Sequence, residues 1–494
     1  MKKLLYIIPV MLIGYFLMTG QNLPDKEKWS ISLPTGVYDP SVMTNAPLPQ
    51  SIDYFNPNSV TRYVRMPNGI MEIAPNVRVL PRTNSWQSEV IITRHPLNPN
   101  IMFGSSNAIS NTGSLFISEG VYVTTNGGVN WFGSDTCTGT PLSNHGGDPG
   151  IALDKNGNFI MTHLGYSTSG IFANYSTNNG ATWSPNYTVI SGSQDKNLAG
   201  TDDAPSSPYY GRSYVVWSLF TASAPPIDIS YTSNGGANWS TAQQINTPPS
   251  GHYSQGCDIR VGPNGEVYVV WASPISGSPY TEDFCGFAKS TNGGVNWTVT
   301  ENAFDMNGIR GTFASKAGMR VNSFPRIDVD RSGGPRNGWI YVATSGKNIS
   351  PAGSDPDILL YKSSNGGANW SAGVRVNQDP INNGKYQWLP AIRVDESGGV
   401  NVVYYDDRNT SSDSGEVYVS RSLDGGVTWT DALISDHRFK PKPITLSGIA
   451  GGYAGDYIGV TSGNGKLWPL WMDDVTGIYQ AWTAPVQIQT YPLN

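Results

Sequence analysis

The sequence predicts an all-β protein, a β-propeller of four-stranded antiparallel blades, and three observations carry that prediction. An eight-residue pattern, Ser/Thr-x-Asn/Asp-x-Gly-x-x-Trp, recurs six times at intervals of 52 to 73 residues, the spacing of blades or solenoid coils. Each copy follows a strand-like run such as Val121-Tyr122-Val123 or Glu416-Val417-Tyr418-Val419. The composition agrees, because 56 Gly, 35 Pro and only 14% charged residues suit many short strands joined by turns. At 494 residues the chain exceeds one ordinary core, a limit that repeat folds escape because each unit packs only on its neighbours.

Taken in chain order, the first element is a secretory signal over residues 1–20. Met1-Lys2-Lys3 supplies the positive start, residues 4–18 the apolar run, and Thr19-Gly20 the small residues of a cleavage point. An uncleaved anchor is the alternative, although the run is shorter than the ~20 residues a spanning helix needs. Residues 21–84 are rich in Pro and Asn and read as an extended segment lying against the propeller. They hold one hairpin signal, Asn68-Gly69 between Tyr63-Val64-Arg65-Met66 and Ile70-Met71-Glu72-Ile73. The propeller is assigned to 85–484 and a tail to 485–494.

Within the propeller the octapeptides place Asn126 with Trp131, Asn178 with Trp183, Asn234 with Trp239, Asn292 with Trp297, Asn365 with Trp370, and Asp424 with Trp429. Their chemistry is local and structural. The Asn or Asp bonds its own turn, Gly takes the φ > 0 position and Trp buries a large ring. Upstream of four copies, residues 151–157, 259–265, 327–333 and 392–398 share an apolar strand running into a Gly turn, which marks the two inner strands of a blade. A further unit without an octapeptide follows the last copy, at 456–482, so seven blades are favoured, with six as the alternative. Closing the ring removes edge strands, and Val77-Arg78-Val79-Leu80 is the nearest N-terminal strand to complete the last unit.

The two inner strands of each blade meet at the channel mouth, which is where chemistry is expected. Counting six residues on from each inner turn glycine gives His163, Trp217, Trp271, Thr344, Tyr404 and Trp471. These rings either stack on sugar faces or pack blade against blade. Symmetry breaks just beyond them, at Asp406-Asp407-Arg408 and Asp473-Asp474. Such carboxylates could serve as acid and base or ligate a hard cation, or they are solvated loop charges. The starts of the inner strands bring Asp148, Asp203, Asp258, Arg326 and Asp456 near the mouth. Arg260, Asp328 and Arg393 hold matching positions two residues on, fitting an inter-blade salt-bridge ladder or a substrate-binding arginine cluster.

The candidate catalytic residues are therefore Asp258, Asp406, Asp407 and Asp473. The candidate ligand-binding residues are His163, Trp217, Trp271, Arg326, Tyr404, Arg408 and Trp471. No cofactor is implied, and a structural calcium ion is left open. Cys257 and Cys285 start the first and third strands of one blade, roughly 9.6 Å apart in a flat sheet, so a disulfide between them needs converging loops. With Cys137 the chain has three cysteines, leaving at least one thiol unpaired.

The octapeptide resembles the Asp-box, or bacterial neuraminidase repeat, of the sialidase-like superfamily, with Asn replacing Asp in five of the six copies. The resemblance implies a propeller whose boxes lie at the periphery of the face opposite the pocket. In a sialidase it would also imply an arginine triad for the substrate carboxylate, a tyrosine nucleophile paired with a glutamate, and an aspartate acid/base. Val64-Arg65-Met66-Pro67 is the nearest match to the family's Phe/Tyr-Arg-Ile-Pro motif and lacks its aromatic residue. Arg260, Arg326, Arg393 and Arg408 are the later arginines, and Tyr453 and Tyr457 the tyrosines near the end.

The functional expectation is a secreted bacterial propeller, extracellular or at the cell surface with the periplasm as alternative, that binds glycans or protein ligands at its mouth. A glycoside hydrolase of exo-sialidase type and a non-catalytic surface-assembly platform are the alternatives, and enzymatic status stays open. Expected partners are an extracellular glycan or glycoprotein, with a protein partner open and no membrane span once the signal is removed. A net charge of −6 argues against nucleic acid.

Overall fold

The computed structural model describes residues 56, 59–111, 115–135 and 144–488. The predicted signal at 1–20, most of 21–58, Cys137 and the end of the tail lie outside them. β-Branched and aromatic runs broken by glycine turns fold as expected into antiparallel meanders. Six four-stranded blades result, and their inner strands are Trp86–Arg94, Gly150–Leu153, Gln194–Thr201, Gln255–Val261, Arg326–Val329 and Gln387–Val394. We number the blades 1 to 6 in that order. Blade 1 carries one extra strand, Leu115–Glu119, beside Met102–Asn111.

The blade count is therefore six, the alternative, rather than seven. The unit after the last octapeptide is not a further copy of the four-stranded blades but a seven-stranded sheet. Its strands Gly459–Gly463, Lys466–Asp473 and Gln480–Thr483 are joined by Val486–Gln487 and by three N-terminal strands. Val77–Arg78 pairs with Gln480–Thr483, and the hairpin Arg62–Met66 with Gly69–Ile73 adds on through Val486–Gln487. This sheet closes the ring, with Gly459–Gly463 packed against the inner strands of blades 6 and 1. Strands from both ends of the described chain thus cover edges that would otherwise be open.

All six octapeptide turns share one hydrogen-bond set. The first Ser/Thr oxygen accepts the N–H of the fifth residue at 2.8–3.1 Å and donates to the Asn or Asp oxygen at 2.7–3.0 Å. That oxygen in turn accepts an N–H four residues on at 2.8–3.0 Å. Trp370 meets Phe287 of the preceding blade edge to face, with centroids 5.3 Å apart. Gly367 has φ 87° and approaches Phe287 so closely that a Cβ would lie 2.1 Å from its ring. Gly367→Ala is expected to cost about 2–4 kcal/mol in denaturant unfolding, the sum of left-handed strain and overpacking. Gly333→Ala, at φ 73° with open space around it, should cost only about 1 kcal/mol.

The closing sheet is tied down by His437, whose Nδ1 lies 2.8 Å from Asp436 and Nε2 2.9 Å from Asp473. Asp436 in turn accepts the Asn76 N–H at 3.2 Å and contacts Ser59, anchoring the N-terminal segment. Burial opposes the charged imidazolium, but Asp473 and Asp436 outweigh it and raise His437 to about 9 from 6.5. A raised pKa means stability that is full below pH 6.5 and lost as pH rises through about 9. Unfolding free energy should fall across that window by roughly 3 kcal/mol or less, and His437→Gln should flatten the profile.

Candidate functional site

Bulges at the mouth ends of the inner strands build the site. The strand register slips between Ser88 and Ile91, Asp195 and Leu198, Gln255 and Asp258, and Trp388 and Ala391. At each slip one residue takes positive φ: Glu89 (53°), Lys196 (52°), Gly256 (69°) and Leu389 (50°). Asp148, just before the blade 2 strand, has φ 53°. Left-handed backbone suits glycine and costs other residues roughly 1–3 kcal/mol. The bulges turn Glu89 and Lys196 toward one another and toward Asp148, whereas Leu389, at the matching bulge of blade 6, enters the hydrophobic core.

Glu89, Asp148 and Lys196 meet in a buried polar cluster, the pit. Asn107 spans it, its amide donating to Glu89 at 3.0 Å and to the Tyr453 hydroxyl at 2.9 Å, while its oxygen accepts the Asp148 N–H at 2.6 Å. Ser88 Oγ is 2.9 Å from the same hydroxyl. Asp148 Oδ2 accepts the Lys196 N–H at 3.1 Å, and the Asp148 carboxyl neighbours that of Glu89. Burial, then Asp148 and Asp456, push Glu89 well above the carboxylate range, while burial and Asp195 push Asp148 up to about 7. Two adjacent carboxyls out of water cannot both ionise cheaply, so the pair retains a proton at neutral pH.

Cations face the acids. Arg320 reaches Asp456 at 2.7 Å and lies 4.7 Å from the Tyr453 ring centroid. Arg326 lies 3.1 Å from Asp258 and 5.8 Å from the Tyr457 centroid. Burial raises Asp258, but Arg260 and Arg326 overcome this and hold it below its ordinary value. Lys196 Nζ sits 4.0 Å above the Tyr457 ring and makes no ion pair among the described residues. Burial and Arg326 lower its pKa. The Tyr457 hydroxyl and Arg326 Nη1 are buried without a hydrogen-bond partner. Native interiors rarely leave such groups unmet, so the trio is poised for an external acceptor.

Two insertions roof the pit. The hairpin Gly311–Phe313 with Met319–Val321 lies between blades 4 and 5 and carries Arg320. The connection 434–458 brings Tyr453, and the Arg320 N–H donates to Gly452 O at 2.8 Å. Below the pit, Arg260 and Arg393 both approach Asp328, at 3.6 and 3.7 Å, so these positions form the inter-blade ladder. Lower still is a cavity of about 390 Å³ lined by Arg94, Arg331 and Arg393 with Asp203, Asp395 and Glu396. A larger cavity of about 520 Å³ is a groove between octapeptide turns of blades 4 and 5 and is lined by no carboxylate.

Of the residues chosen from sequence, Asp258 and Arg326 lie in the pit. Asp406 pairs with Arg408 at 2.7 Å, and Arg408 also bonds Asp431 on the outer strand of blade 6. Asp407 binds Lys316 of the roof hairpin at 2.7 Å, and Asp473 accepts from Trp471 Nε1 at 2.9 Å and faces His437. Trp217, Trp271, Tyr404 and Trp471 are fully buried in the cores between sheets. His163 is buried beside Glu119 and His145. Arg65 is exposed on the hairpin of the closing sheet. Cys257 and Cys285 are free thiols, because the strand Val267–Pro274 separates them and no loops converge to bridge it, which corrects the disulfide expectation.

Glu89, Lys196, Arg320 and the Asn107 bridge were not among the sequence candidates. A signal existed for two of them: aligned on the inner strands, Glu89 and Lys196 occupy the position where blade 4 has Gly256. Arg320 sits on an insertion outside the repeat, where no periodic pattern points to it.

No family model matches the chain, and no curated protein matches it. Solved structures do match, at low identity. The Hadza microbial sialidase Hz136 is 13% identical with a TM-score of 0.44, covering 78% of this chain and 73% of its own. A leech intramolecular trans-sialidase is 12% identical with a TM-score of 0.44, covering 87% and 91%. A Penicillium chrysogenum α-L-arabinanase is 13% identical with a TM-score of 0.45, covering 71% and 98%. These are likenesses of fold. Among the described residues no helix is long and apolar enough to cross a membrane.

Proposed function

We propose that the chain is a secreted, carbohydrate-active propeller of Asp-box type that cleaves a glycosidic bond next to an acidic terminal sugar. The observation that carries this reading is the pair Glu89 and Asp148, whose carboxyls burial raises, set beside Lys196, Arg326 and Tyr457, where the Tyr457 hydroxyl and Arg326 Nη1 have no hydrogen-bond partner. The pair gives its proton to the leaving oxygen as the C–O bond breaks, the role of a carboxyl whose pKa is raised. Tyr453, held by Ser88 and by the amide that also holds Glu89, is the hydroxyl placed to attack the anomeric carbon, passing its proton to the carboxylate pair that has just given one up. Water then breaks the Tyr453–sugar bond and returns a proton to the tyrosine oxygen. Lys196, Arg326 and the Tyr457 hydroxyl would grip the sugar carboxylate.

Glycan binding without turnover is the second reading, favoured because burial pushes the Tyr453 hydroxyl well above its ordinary range and so opposes its ionisation for attack. A panel of fluorogenic glycosides, comprising a sialoside, a glucuronide and a neutral arabinofuranoside, decides between them. Turnover of an acidic glycoside that Lys196→Met weakens chiefly through KM supports hydrolysis. No turnover, with array binding of acidic glycans that Lys196→Met abolishes, supports binding alone. Turnover confined to the neutral glycoside sinks the acidic-sugar assignment.

A further inference from the structure

Beside the pit lies a second cluster that the proposed chemistry does not use. Glu119 ends the extra strand of blade 1, His145 precedes the inner strand of blade 2 and His163 lies on the next strand, all three buried. One ligand atom from each lies within 4.8 Å of the others. The imidazoles stack with centroids 3.9 Å apart, His145 Nδ1 contacts Glu119 Oε2, and His163 Nδ1 is 3.9 Å from Glu119 Oε1.

The proton count around His163 does not close. Asn174 donates its amide hydrogen to Ser184 O at 2.8 Å, which turns its oxygen toward His163 Nε2 at 3.0 Å. Nε2 must therefore carry the ring proton. Nδ1 then faces two more acceptors, Leu164 O at 2.8 Å and the Glu119 carboxylate. A neutral ring would direct a lone pair at oxygen lone pairs. An imidazolium or a cation bound at Nδ1 resolves this, and the second imidazole stacked 3.9 Å away supplies a further donor for a cation. His145 Nε2 is likewise buried without a partner.

We infer that Glu119, His145 and His163, with the Leu164 carbonyl, hold a divalent transition-metal ion of the zinc class. Two imidazoles and a carboxylate are the donors borderline metals select, whereas calcium and magnesium prefer all-oxygen shells. Binding would draw these atoms in to about 2.0–2.2 Å from the ion. Glu119 Oε1 also accepts the Gly147 N–H at 2.7 Å, and the adjoining Asp148 N–H is held by Asn107. The ion would thus pin the turn that delivers Asp148 to the pit, a positioning role. The binding claim is independent of the hydrolase reading.

The test uses the full chain, stripped with a chelator and titrated with Zn²⁺ and Co²⁺. One equivalent of Zn²⁺ should bind and raise the thermal midpoint. Co²⁺ should give visible ligand-field bands and paramagnetically shifted imidazole resonances. His145→Ala should weaken Zn²⁺ binding by roughly 100-fold or more, with Glu119→Gln and His163→Ala acting alike. Should the variants fail to fold, the Co²⁺ spectrum of the unaltered chain decides. Absence of imidazole resonances, or binding that His145→Ala leaves unchanged, overturns the inference. Neither readout needs a glycoside, so loss of the metal site and loss of hydrolysis are separable.

Discussion

Glu89→Gln is expected to lower kcat/KM on the cleaved glycoside by about 10³-fold while leaving the unfolding midpoint near that of the parent. Glutamine keeps the shape and the acceptor that Asn107 uses but has no acidic proton to transfer. Burial and Asp148 push the Glu89 carboxyl well above its ordinary range, so the substitution removes the acidic proton at little cost in charge. The pH profile gives a second check. Turnover should rise as Asp148 ionises near about 7, leaving the pair with one shared proton, and fall at more alkaline pH when Glu89 loses it. Asp148→Asn should erase the acid limb. A Glu89→Gln protein that turns over normally would remove the pair from the reaction.

Arg320→Met is expected to destabilise the protein by about 3–5 kcal/mol in denaturant unfolding, because it strands a buried carboxylate. Arg320 and Asp456 are each 2% exposed and 2.7 Å apart. Without the guanidinium, Asp456 would face Glu89 with no counter-charge, and the Glu89 carboxyl would move up further, since Arg320 is what lowers it. Arg320→Met with Asp456→Asn should cost markedly less than the two single changes added together. Strict additivity would mean that the two side chains do not support each other. The roof hairpin would then need another anchor, such as the Lys316–Asp407 pair.

The blades were legible because their determinants are local. Ser/Thr, Asn/Asp, Gly and Trp at fixed offsets close each turn through bonds spanning two to four residues, and such geometry does not depend on distant sequence. The inter-blade ladder of Arg260, Asp328 and Arg393 was legible for a related reason: a propeller repeats its register, so matching positions in successive blades face one another. The count of units was read one too high in its favoured form. Local patterning sees strands after Asp456 and offers Val77-Arg78-Val79-Leu80 to complete them, as the pairing of Val77 with Thr483 bears out, but it does not show that the hairpin 62–73 joins through Val486–Gln487 to make one seven-stranded sheet.

The candidate site was legible only in part. Asp258 and Arg326 stood out because they begin inner strands, whereas Asp406, Asp407 and Asp473 stood out as symmetry-breaking carboxylates and meet Arg408, Lys316 and His437 instead. Side chains one residue apart on a strand point to opposite faces, and a bulge reverses that parity. Glu89 and Lys196 enter the pit through such bulges.

By itself, then, the sequence determined the all-β class, the blade, the turn chemistry and the acidic surface, all properties of residues near one another in the chain. The tertiary structure alone decided the six blades with their seven-stranded closing sheet, the free state of Cys257 and Cys285, and the meeting of Glu89, Asp148, Lys196, Arg326 and Tyr453. The physical reason is that ring closure and buried charge networks join groups hundreds of residues apart, through register shifts and insertions that no periodicity announces.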